Sequence, residues 1–502
     1  MLLKQVLQNV ETVAVEGSLD REVVGVGYDS RRISPGMLFV AIPGKNTDGH
    51  QHITAALDRG AVAVICQQNG FVPQRATKIK VSDARQALAR TAAAFYGFPS
   101  TQLKVIGVTG TNGKTTVSFM VKHILEAAGV RTGLLGTVRY EIGERCIPAQ
   151  RTTPEALEIQ AMMAQMLNAG CKACVMEVSS HALDQQRGVG VSFDVGIFTN
   201  LTQDHLDYHG TLETYFLAKQ RLFANLGTGG KTAAAVINID DAYGARLVAE
   251  HQSLEVNFSY GINESARLCA TKIQLGREAT RLTITTPAGS FACRLPLIGR
   301  HNIYNALAAV GASLALQVDL ATIKTGLETM RPVPGRLEKV DLGQPFSVFV
   351  DYAHTDDALQ NVLTTLREVT RGRVLLAFGC GGNRDAGKRA KMGRVAAELA
   401  DYTIITSDNP RKESATWIAA QIEEGFREIR RDGYRVELDR HRAIDELIRM
   451  ARPGDVVLLA GKGHETYQEF EDTVVPFDDR VHARETLEAL GHTLDEEAAG
   501  VA

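Results

Sequence analysis

The sequence predicts an α/β protein of three domains. Its 502 residues are about three times the ~150 residues of a common domain. Two segments that contain proline and glycine, at 96–100 and 331–336, mark joints between domains. Short β-branched runs alternate with helical patterns in the middle and last pieces, which is typical of βαβ units around a parallel sheet. We therefore predict domains at residues 1–104, 105–335 and 336–502, with strands in the last at 346–350, 374–378, 402–406 and 456–459.

The composition is that of an ordinary globular protein, and it excludes several classes of function. Apolar residues make up 44% of the chain and charged residues 23%. The 55 Lys and Arg residues nearly balance the 58 Asp and Glu residues, which argues against binding of nucleic acid on a basic face. No run approaches the ~18 apolar residues of a membrane span, and the first residues lack the pattern of a signal peptide. We therefore expect a cytoplasmic protein with no nucleic-acid partner and no membrane span.

The seven cysteines are widely spaced and odd in number, so they do not predict a disulfide framework. Cys171 and Cys174 form a CxxC pair, but no second pair follows to complete a zinc site. Because Cys174 begins the apolar run 174–176, we expect two reduced thiols at the start of a buried strand.

A phosphate-binding loop is predicted after the strand-like run 105–108. Its residues are Gly110, Thr111, Asn112, Gly113, Lys114, Thr115 and Thr116. Backbone N–H groups of such a loop close on phosphate oxygens, the Lys114 amine adds charge, and the Thr115 hydroxyl suits Mg²⁺. Apolar residues at 117, 120, 121, 124, 125 and 128, followed by Gly129, predict a one-sided helix that starts at the phosphates. The strict Walker pattern has glycine where this chain has Val108, but the strand–loop–helix context predicts an ATP or GTP site.

Acidic and histidine residues follow two later apolar runs. Glu177 follows the run 174–176, and Asp204 and His205 follow the run 197–201. A hard cation that bridges phosphates prefers oxygen ligands and tolerates imidazole. On the residues alone, a metal site and ordinary surface positions are about equally supported. Lys219 lies in a helical pattern, and nothing nearby distinguishes it from a solvent-exposed helix lysine.

In combination, these motifs resemble those of the Mur ligases, the ATP-dependent amide-forming enzymes of peptidoglycan precursor synthesis. The resemblance covers essentially all three pieces. Besides the phosphate loop it is carried by Glu177-Val178-Ser179-Ser180-His181, Asn200-Leu201 with Asp204-His205-Leu206-Asp207-Tyr208-His209, Gly299-Arg300-His301-Asn302-Ile303-Tyr304-Asn305 and Asp351-Tyr352-Ala353-His354-Thr355. It implies a nucleotide-binding α/β N-terminal domain for the UDP-muramyl substrate and a central P-loop-type ATPase domain with a mostly parallel sheet. The implied C-terminal domain is Rossmann-like and binds the incoming amino acid.

The resemblance also assigns roles that no local pattern indicates. Asp29-Ser30-Arg31 matches the uridine-nucleotide pocket, with Ser30 as a direct contact, although alone it is better explained as a polar turn. The residues implied to hold the muramyl dipeptide are Thr152, Thr153, Ser179, Gln185 and Arg187. Those implied to contact the adenine nucleotide are Asn302, Arg336 and Asp351.

For the metal region, the resemblance implies two Mg²⁺ ions and a modified lysine. Lys219 matches a lysine that family members carbamylate to N6-carboxylysine, which replaces an ammonium by a carboxylate-like ligand. The implied metal ligands are Thr115, Glu177, His205 and the carbamate of Lys219. The implied catalytic residues are Lys114, Lys219, Glu177 and His205.

The implied amino-acid pocket is the most specific of these assignments. Asp408-Asn409-Pro410-Arg411 matches the tetrapeptide that recognises meso-diaminopimelate, although alone it is better explained as a turn before a helix near Ala415. A guanidinium can bind the second carboxylate of this diamino diacid bidentately, whereas lysine would place an ammonium there. The residues implied to complete the pocket are Arg384, Gly461 and Glu465.

The implied reaction joins meso-2,6-diaminopimelate to the D-glutamate of UDP-N-acetylmuramoyl-L-alanyl-D-glutamate with ATP, through an acyl phosphate, on a monomeric enzyme. One alternative is ligation of L-lysine by the same scaffold, in which we expect no arginine at position 411. A second is another amide ligase such as a folylpolyglutamate synthase, which does not need the domain at 1–104. A third is a phosphate-loop switch or motor, which would hydrolyse ATP without the muramyl dipeptide.

Overall fold

The computed structural model describes residues 1–44, 47–68, 75–250, 258–263 and 265–493. The strands of the first domain are β1 Thr12–Glu16, β2 Gly25–Gly27, β3 Met37–Val40, β4 Ala63–Cys66 and β5 Thr77–Val81. Its helices are α1 Leu3–Val6, α2 Ile53–Asp58, α3 Ala84–Phe95 and α4 Pro99–Gln102. The strand order is β1-β5-β4-β3-β2, and β1 pairs antiparallel with β5 while the other pairs are parallel.

The middle domain has a larger sheet. Its strands are β6 Lys104–Thr109, β7 Thr132–Leu135, β8 Arg139–Ile142, β9 Arg145–Pro148, β10 Ala173–Glu177, β11 Val195–Phe198, β12 Ala234–Asn238, β13 Phe258–Gly261, β14 Leu268–Gln274, β15 Thr280–Thr286 and β16 Gly289–Leu295. Its helices are α5 Lys114–Ala127, α6 Ala156–Asn168, α7 Ser180–Asp184, α8 Leu206–His209, α9 Leu212–Ala224, α10 Ala242–Glu250, α11 Arg300–Ala315 and α12 Leu320–Glu328. The order is β16-β15-β14-β13-β12-β11-β6-β10-β7-β8-β9, parallel from β14 to β7 and antiparallel at both ends.

Two apolar cores cover the faces of this sheet, which explains why its central strands are continuous apolar runs. One core contains Val121 of α5 and Leu307 of α11, both fully buried. The other contains Met163 of α6 and Phe216 of α9, also fully buried. Because β6 is the parallel neighbour of both β10 and β11, the carboxyl ends of the three strands meet at one edge. The phosphate loop and the residues that follow β10 and β11 are thereby brought together.

The C-terminal domain repeats this plan around a second sheet. Its strands are β17 Glu338–Val340, β18 Ser347–Asp351, β19 Val374–Phe378, β20 Tyr402–Ile405, β21 Tyr434–Val436, β22 Val456–Ala460, β23 Tyr467–Phe470 and β24 Thr473–Pro476. Its helices are α13 Asp356–Val369, α14 Lys388–Leu399, α15 Ala415–Ile429, α16 Arg440–Met450 and α17 Asp479–Ala489. The main sheet has the order β17-β18-β22-β19-β20-β21, antiparallel between β17 and β18 and parallel elsewhere, and β23 and β24 form a separate hairpin.

The predicted α/β class with mostly parallel sheets is confirmed. The strands predicted in the last piece are present, and their bounds shift by no more than one residue. The helix predicted after the phosphate loop is α5, and Gly129 beyond it has a φ of 76°. Cys171 and Cys174 are free, buried thiols, as predicted. In the described part of the chain, no helix combines the length and the apolar character needed to cross a lipid bilayer. The limits of the domains stay predictions.

Candidate active site

The carboxyl ends of β6, β10 and β11 open into a cavity of about 590 Å³, which the C-terminal domain also lines. Its walls include residues predicted from separate segments of the sequence: Lys114, Thr115, Glu177, His205, Asn302, Arg336 and Asp351. This volume is in the range of pockets that hold small-molecule ligands and cofactors.

The phosphate loop adopts a conformation that requires its glycines. Gly110 has a φ of 146° and Gly113 a φ of 85°, which favour glycine. A Cβ atom at Gly110 would lie 1.8 Å from Oγ1 of Thr199, so the loop could not keep this path with a side chain there. Since α5 begins at Lys114, its first N–H groups and the positive end of its dipole face the cavity. The arrangement suits phosphate oxygens.

Lys114 and Lys219 donate hydrogen bonds to the same carbonyl oxygen, that of Gly110. Nζ of Lys114 lies 3.0 Å from this oxygen, and Nζ of Lys219, on α9, lies 2.7 Å from it. Lys219 is 1% exposed, so it is not the solvent-exposed lysine that its local sequence allows. Burial lowers the pKa of Lys219 well below its ordinary value, and the Lys114 ammonium lowers it further. The neutral form of this amine, which lies under the phosphate loop, is therefore more accessible than that of an exposed lysine.

Glu177 ends β10 with a fully buried carboxylate. Its Oε2 accepts hydrogen bonds from Oγ1 of Thr115 at 3.0 Å and from Oγ1 of Thr137 at 2.8 Å. The backbone N–H of Thr137 donates to Oε1 at 2.8 Å. Nη2 of Arg336 donates to Oγ1 of Thr115 at 3.1 Å, which connects the predicted metal and nucleotide residues. Thr137 was not among the predicted residues, because it lies 40 positions from Glu177 and no local pattern distinguishes it.

His205 lies after β11 with a φ of 55°, in the left-handed region that is costly for a residue with a side chain. Its ring packs edge-on against that of His181, with centroids 4.8 Å apart. Burial lowers the pKa of His205 to about 4, so its imidazole is neutral at neutral pH. The backbone N–H of His205 donates to Oδ1 of Asp204 at 2.8 Å, and Asp204 lines the same cavity.

Three residues predicted for the muramyl dipeptide lie beside Glu177. Oγ1 of Thr153 donates to the backbone oxygen of Glu177 at 2.7 Å and accepts from the N–H of Ser179 at 3.0 Å. Oγ1 of Thr137, which donates its proton to Glu177, lies 3.1 Å from Oγ1 of Thr152 and can accept a hydrogen bond from it. Hydrogen bonds therefore join these residues to the predicted metal ligands.

Arg187 and Gln185 belong to the same group, whereas Ser30 does not. Nη1 of Arg187 donates to the backbone oxygen of Thr153 at 2.9 Å, and Nη2 donates to Oε1 of Gln185 at 2.6 Å. Ser30 begins the 3-10 turn Ser30–Arg32 of the first domain, and within the described residues no hydrogen bond joins its side chain to this group.

The side chains predicted for the adenine nucleotide come from α11 and the C-terminal domain. Nδ2 of Asn302 donates to the backbone oxygen of Ile298 at 2.8 Å. The carboxylate of Asp351, at the end of β18, accepts from the N–H of Leu337 at 2.6 Å and from that of Ala353 at 2.8 Å. Burial raises the pKa of Asp351 despite these donors.

The predicted amino-acid pocket surrounds a lysine that was not predicted to take part. Nζ of the fully buried Lys462 donates to Oδ1 of Asn409 at 3.1 Å and to Oε2 of Glu465 at 3.2 Å. Nδ2 of Asn409 donates to the same Glu465 oxygen at 2.8 Å. Burial raises the pKa of Glu465, and the carboxylate of Asp408 raises it further. A Cβ atom on Gly461, whose φ is 108°, would lie 3.0 Å from Oδ2 of Asp408.

Arg384 and Arg411 approach the same glycine. A Cβ atom at Gly381 would lie 3.1 Å from Nη1 of Arg411 and 3.8 Å from Cγ of Arg384. The Arg411 guanidinium donates through Nε to Oε2 of Glu469 at 2.8 Å and through Nη1 to the backbone oxygen of Gly382 at 2.9 Å. The structure thus brings the predicted residues together after β19, β20 and β22, which are neighbours in the sheet.

Three models of Mur ligase domains match successive segments of this chain. The family model described as Mur ligase family, catalytic domain, matches residues 22–96. The Mur ligase middle domain matches residues 108–313, and the Mur ligase, glutamate ligase domain, matches residues 335–463.

Two relatives and one solved structure match this chain over nearly its full length. UDP-N-acetylmuramoyl-L-alanyl-D-glutamate--2,6-diaminopimelate ligase of Geobacter metallireducens is 45% identical over 497 residues, which cover 96% of this chain and 97% of the relative. The protein of the same name from Synechococcus elongatus is 46% identical over 498 residues, which cover 97% and 99%. A solved structure of a ligase of this name is 31% identical with a TM-score of 0.71, and the match covers 98% of this chain and 100% of that one. The chain belongs to the Mur ligase family.

Proposed function

We propose that the chain catalyses ATP-dependent ligation of meso-2,6-diaminopimelate to the D-glutamate of UDP-N-acetylmuramoyl-L-alanyl-D-glutamate. The observation that carries this proposal is the match, at 45% identity over 96% of the chain, to a relative of that name. The phosphate loop and the Arg411 guanidinium near Gly381 supply the chemistry that ATP and a second carboxylate require. The reaction would be a cytoplasmic step of peptidoglycan precursor synthesis on a monomeric enzyme.

In the first step, the D-glutamyl γ-carboxylate attacks the γ-phosphorus of ATP, and ADP leaves as the acyl phosphate forms. Negative charge builds on the transferring oxygens, and donors that are already in place stabilise it. The N–H groups of the loop and the Lys114 amine are such donors, because Gly110 and the start of α5 hold them at the cavity. Thr153, Ser179 and Arg187 would hold the dipeptide beside them.

In the second step, the diaminopimelate amine attacks the acyl phosphate. The tetrahedral intermediate loses phosphate, and the nitrogen loses a proton, which leaves the amide. Arg384 and Arg411 would bind the far carboxylate, while the carboxylates of Asp408 and Glu465 would attract an ammonium. Because the loop for the ATP phosphates and the residues for the amino acid lie on different domains, closure of the C-terminal domain would exclude water from the reactive intermediate.

We also propose that two Mg²⁺ ions and a carbamate on Lys219 belong to the site. The donors fit, because Oγ1 of Thr115 and Oε2 of Glu177 are adjacent oxygens and His205 adds a neutral imidazole in the same cavity. When bound, the ions would neutralise charge on the phosphates and the transferring group. Carbamylation needs a neutral amine, and the lowered pKa of Lys219 favours that form. The carbamate would add an oxygen ligand.

Product analysis tests the proposal against its alternatives. The match of residues 22–96 to a Mur ligase model supports a muramyl substrate over a folate substrate. The enzyme is incubated with ATP, Mg²⁺, the UDP-muramyl dipeptide and meso-diaminopimelate. Mass spectrometry then measures the mass of the UDP-linked product. A product heavier by one diaminopimelate residue is expected. ADP formation without that product would contradict a ligase and favour a simple ATPase.

A further inference from the structure

Two helices of the C-terminal domain bring two imidazoles and a carboxylate together outside the candidate active site. His441 lies in the first turn of α16, while His482 and Glu485 lie on α17. Because His482 and Glu485 are three residues apart, they share one face of their helix. Each of the three side chains offers a ligand atom, and these atoms lie within 4.8 Å of one another.

The spacing within this cluster approaches that of metal ligands. Nδ1 of His482 is 3.0 Å from Oε2 of Glu485, and the rings of His441 and His482 have centroids 4.8 Å apart. Ligands of a tetrahedral zinc ion lie about 3.4 Å from one another, since Zn–N and Zn–O bonds are about 2.1 Å long. Rotamer shifts of the exposed His441 and Glu485 side chains would close the remaining gap.

We propose that His441, His482 and Glu485 form a binding site for a divalent transition-metal ion of the zinc class. Two imidazoles and one carboxylate are a ligand set that Zn²⁺ accepts. The fourth coordination position of the ion would face solvent. Mg²⁺ would not compete, because it prefers oxygen ligands in an octahedron. This site is separate from the proposed Mg²⁺ site of the middle domain and uses none of its residues.

The ion would connect α16 to α17 beside a buried ion pair that already joins them. The Arg440 guanidinium donates to both carboxylate oxygens of Asp479, at 2.7 Å and 2.6 Å, and neither side chain is exposed. The same guanidinium donates to the backbone oxygens of Ser407 at 3.3 Å and of Ala460 at 3.0 Å. Those two residues immediately precede parts of the proposed amino-acid pocket. Metal binding at the surface would therefore stabilise the helices that support this pocket.

Thermal unfolding of the full chain tests the site. Trp417, the single tryptophan, lies on α15, so its fluorescence reports on the C-terminal domain. With chelator-treated protein at about pH 7.5, where an ordinary histidine is mostly neutral, ZnCl₂ is expected to raise the melting temperature by about 4 °C or more, and MgCl₂ is not. His441→Gln and His482→Gln should each lose most of this rise. His52→Gln, at an exposed histidine of the first domain, should keep it.

Cobalt absorption provides a measurement that does not depend on unfolding. Four-coordinate Co²⁺ absorbs visible light much more strongly than the hydrated ion, so wild-type protein should show a band that ZnCl₂ removes. Glu485→Gln and His482→Gln should each lose the absorbance of one equivalent of Co²⁺. If neither ZnCl₂ nor Co²⁺ affects the wild type, or if both signals persist in the His441→Gln and His482→Gln variants, the proposal is wrong.

Discussion

Asp357, in the first turn of α13, accepts a hydrogen bond from the side-chain amide of Asn112 in the phosphate loop, with Oδ2 and Nδ2 2.6 Å apart. The same carboxylate oxygen accepts from Oγ1 of Thr202 at 3.1 Å. The C-terminal domain therefore contacts the loop that is proposed to hold the ATP phosphates. Such a contact is expected if the domain must close over the nucleotide before phosphoryl transfer.

Removal of this contact should weaken the use of ATP. Asp357→Ala is expected to lower kcat/KM for ATP about 5- to 150-fold, because a hydrogen bond contributes about 0.5–1.5 kcal/mol and two are lost. Asp357→Asn keeps an acceptor oxygen and should lose less. Asp356→Ala, at the neighbouring position, is the control. Steady-state kinetics at saturating levels of the other substrates measure the effect, and unchanged kinetics in Asp357→Ala would contradict the role of the contact.

Arg411 should decide the affinity for the amino acid. Arg411→Ala is expected to raise the KM for meso-diaminopimelate about 10- to 100-fold, since a charge-assisted hydrogen bond contributes about 1.5–3 kcal/mol. The KM for ATP should stay the same. Lys412→Ala changes an exposed neighbour and should have little effect on either. An equal loss of ATP affinity in Arg411→Ala would show that the pocket is wrongly assigned.

Activity should depend on carbon dioxide through Lys219. Exhaustive removal of CO₂ is expected to lower the rate of ligation, and added bicarbonate should restore it. Lys219→Met and Lys219→Arg, which cannot carry the carbamate, should lose roughly 100-fold or more in kcat and should not respond to bicarbonate. Native mass spectrometry measures the added CO₂. Full activity of unmodified protein without CO₂ would exclude the carbamate.

His301 should make the folded protein less stable in acid. Burial lowers its pKa to about 4, from the ordinary value of 6.5. Between these values the unfolded chain binds a proton that the folded chain does not, so stability falls as the pH drops from 6.5 to about 4. His301→Gln should reduce the slope of the free energy of unfolding against pH in this window, measured by urea unfolding. His52→Gln is the control, and an unchanged slope in His301→Gln would contradict the assignment.

The buried pair of Arg440 and Asp479 should show strong coupling. Arg440→Met is expected to destabilise the C-terminal domain by about 3–5 kcal/mol, because it leaves a carboxylate buried and unpaired. The double variant Arg440→Met, Asp479→Leu should cost less than the sum of the two single changes. Urea unfolding followed by Trp417 fluorescence measures all three variants. Additive losses would contradict the coupling.

Contiguous features could be predicted from the sequence, and long-range contacts could not. The phosphate loop was recognisable because strand, glycines and helix follow one another within about 25 residues. The burial of Lys219 was not, because it depends on Gly110, 109 positions away. The contact between Asp357 and Asn112 joins residues 245 positions apart, so no window of sequence contains it.

The amino-acid pocket could be predicted only in part from the sequence. Its segments follow separate strands, and the role of Arg384 came from the family resemblance rather than from a physical pattern. The same holds for Ser30 in the uridine-nucleotide pocket. Lys462 lies between Gly461 and Glu465, two residues of the implied pocket. A buried lysine is uncommon, and nothing in the sequence predicts its contacts with Asn409 and Glu465.

The most direct test of the proposed function measures phosphate release from ATP with the UDP-muramyl dipeptide and one amino acid at a time. We expect release only when the dipeptide and meso-diaminopimelate are both present, with L-lysine at least roughly tenfold slower. Release with L-lysine and not with meso-diaminopimelate would contradict the substrate, and release that needs neither amino acid would contradict the ligase.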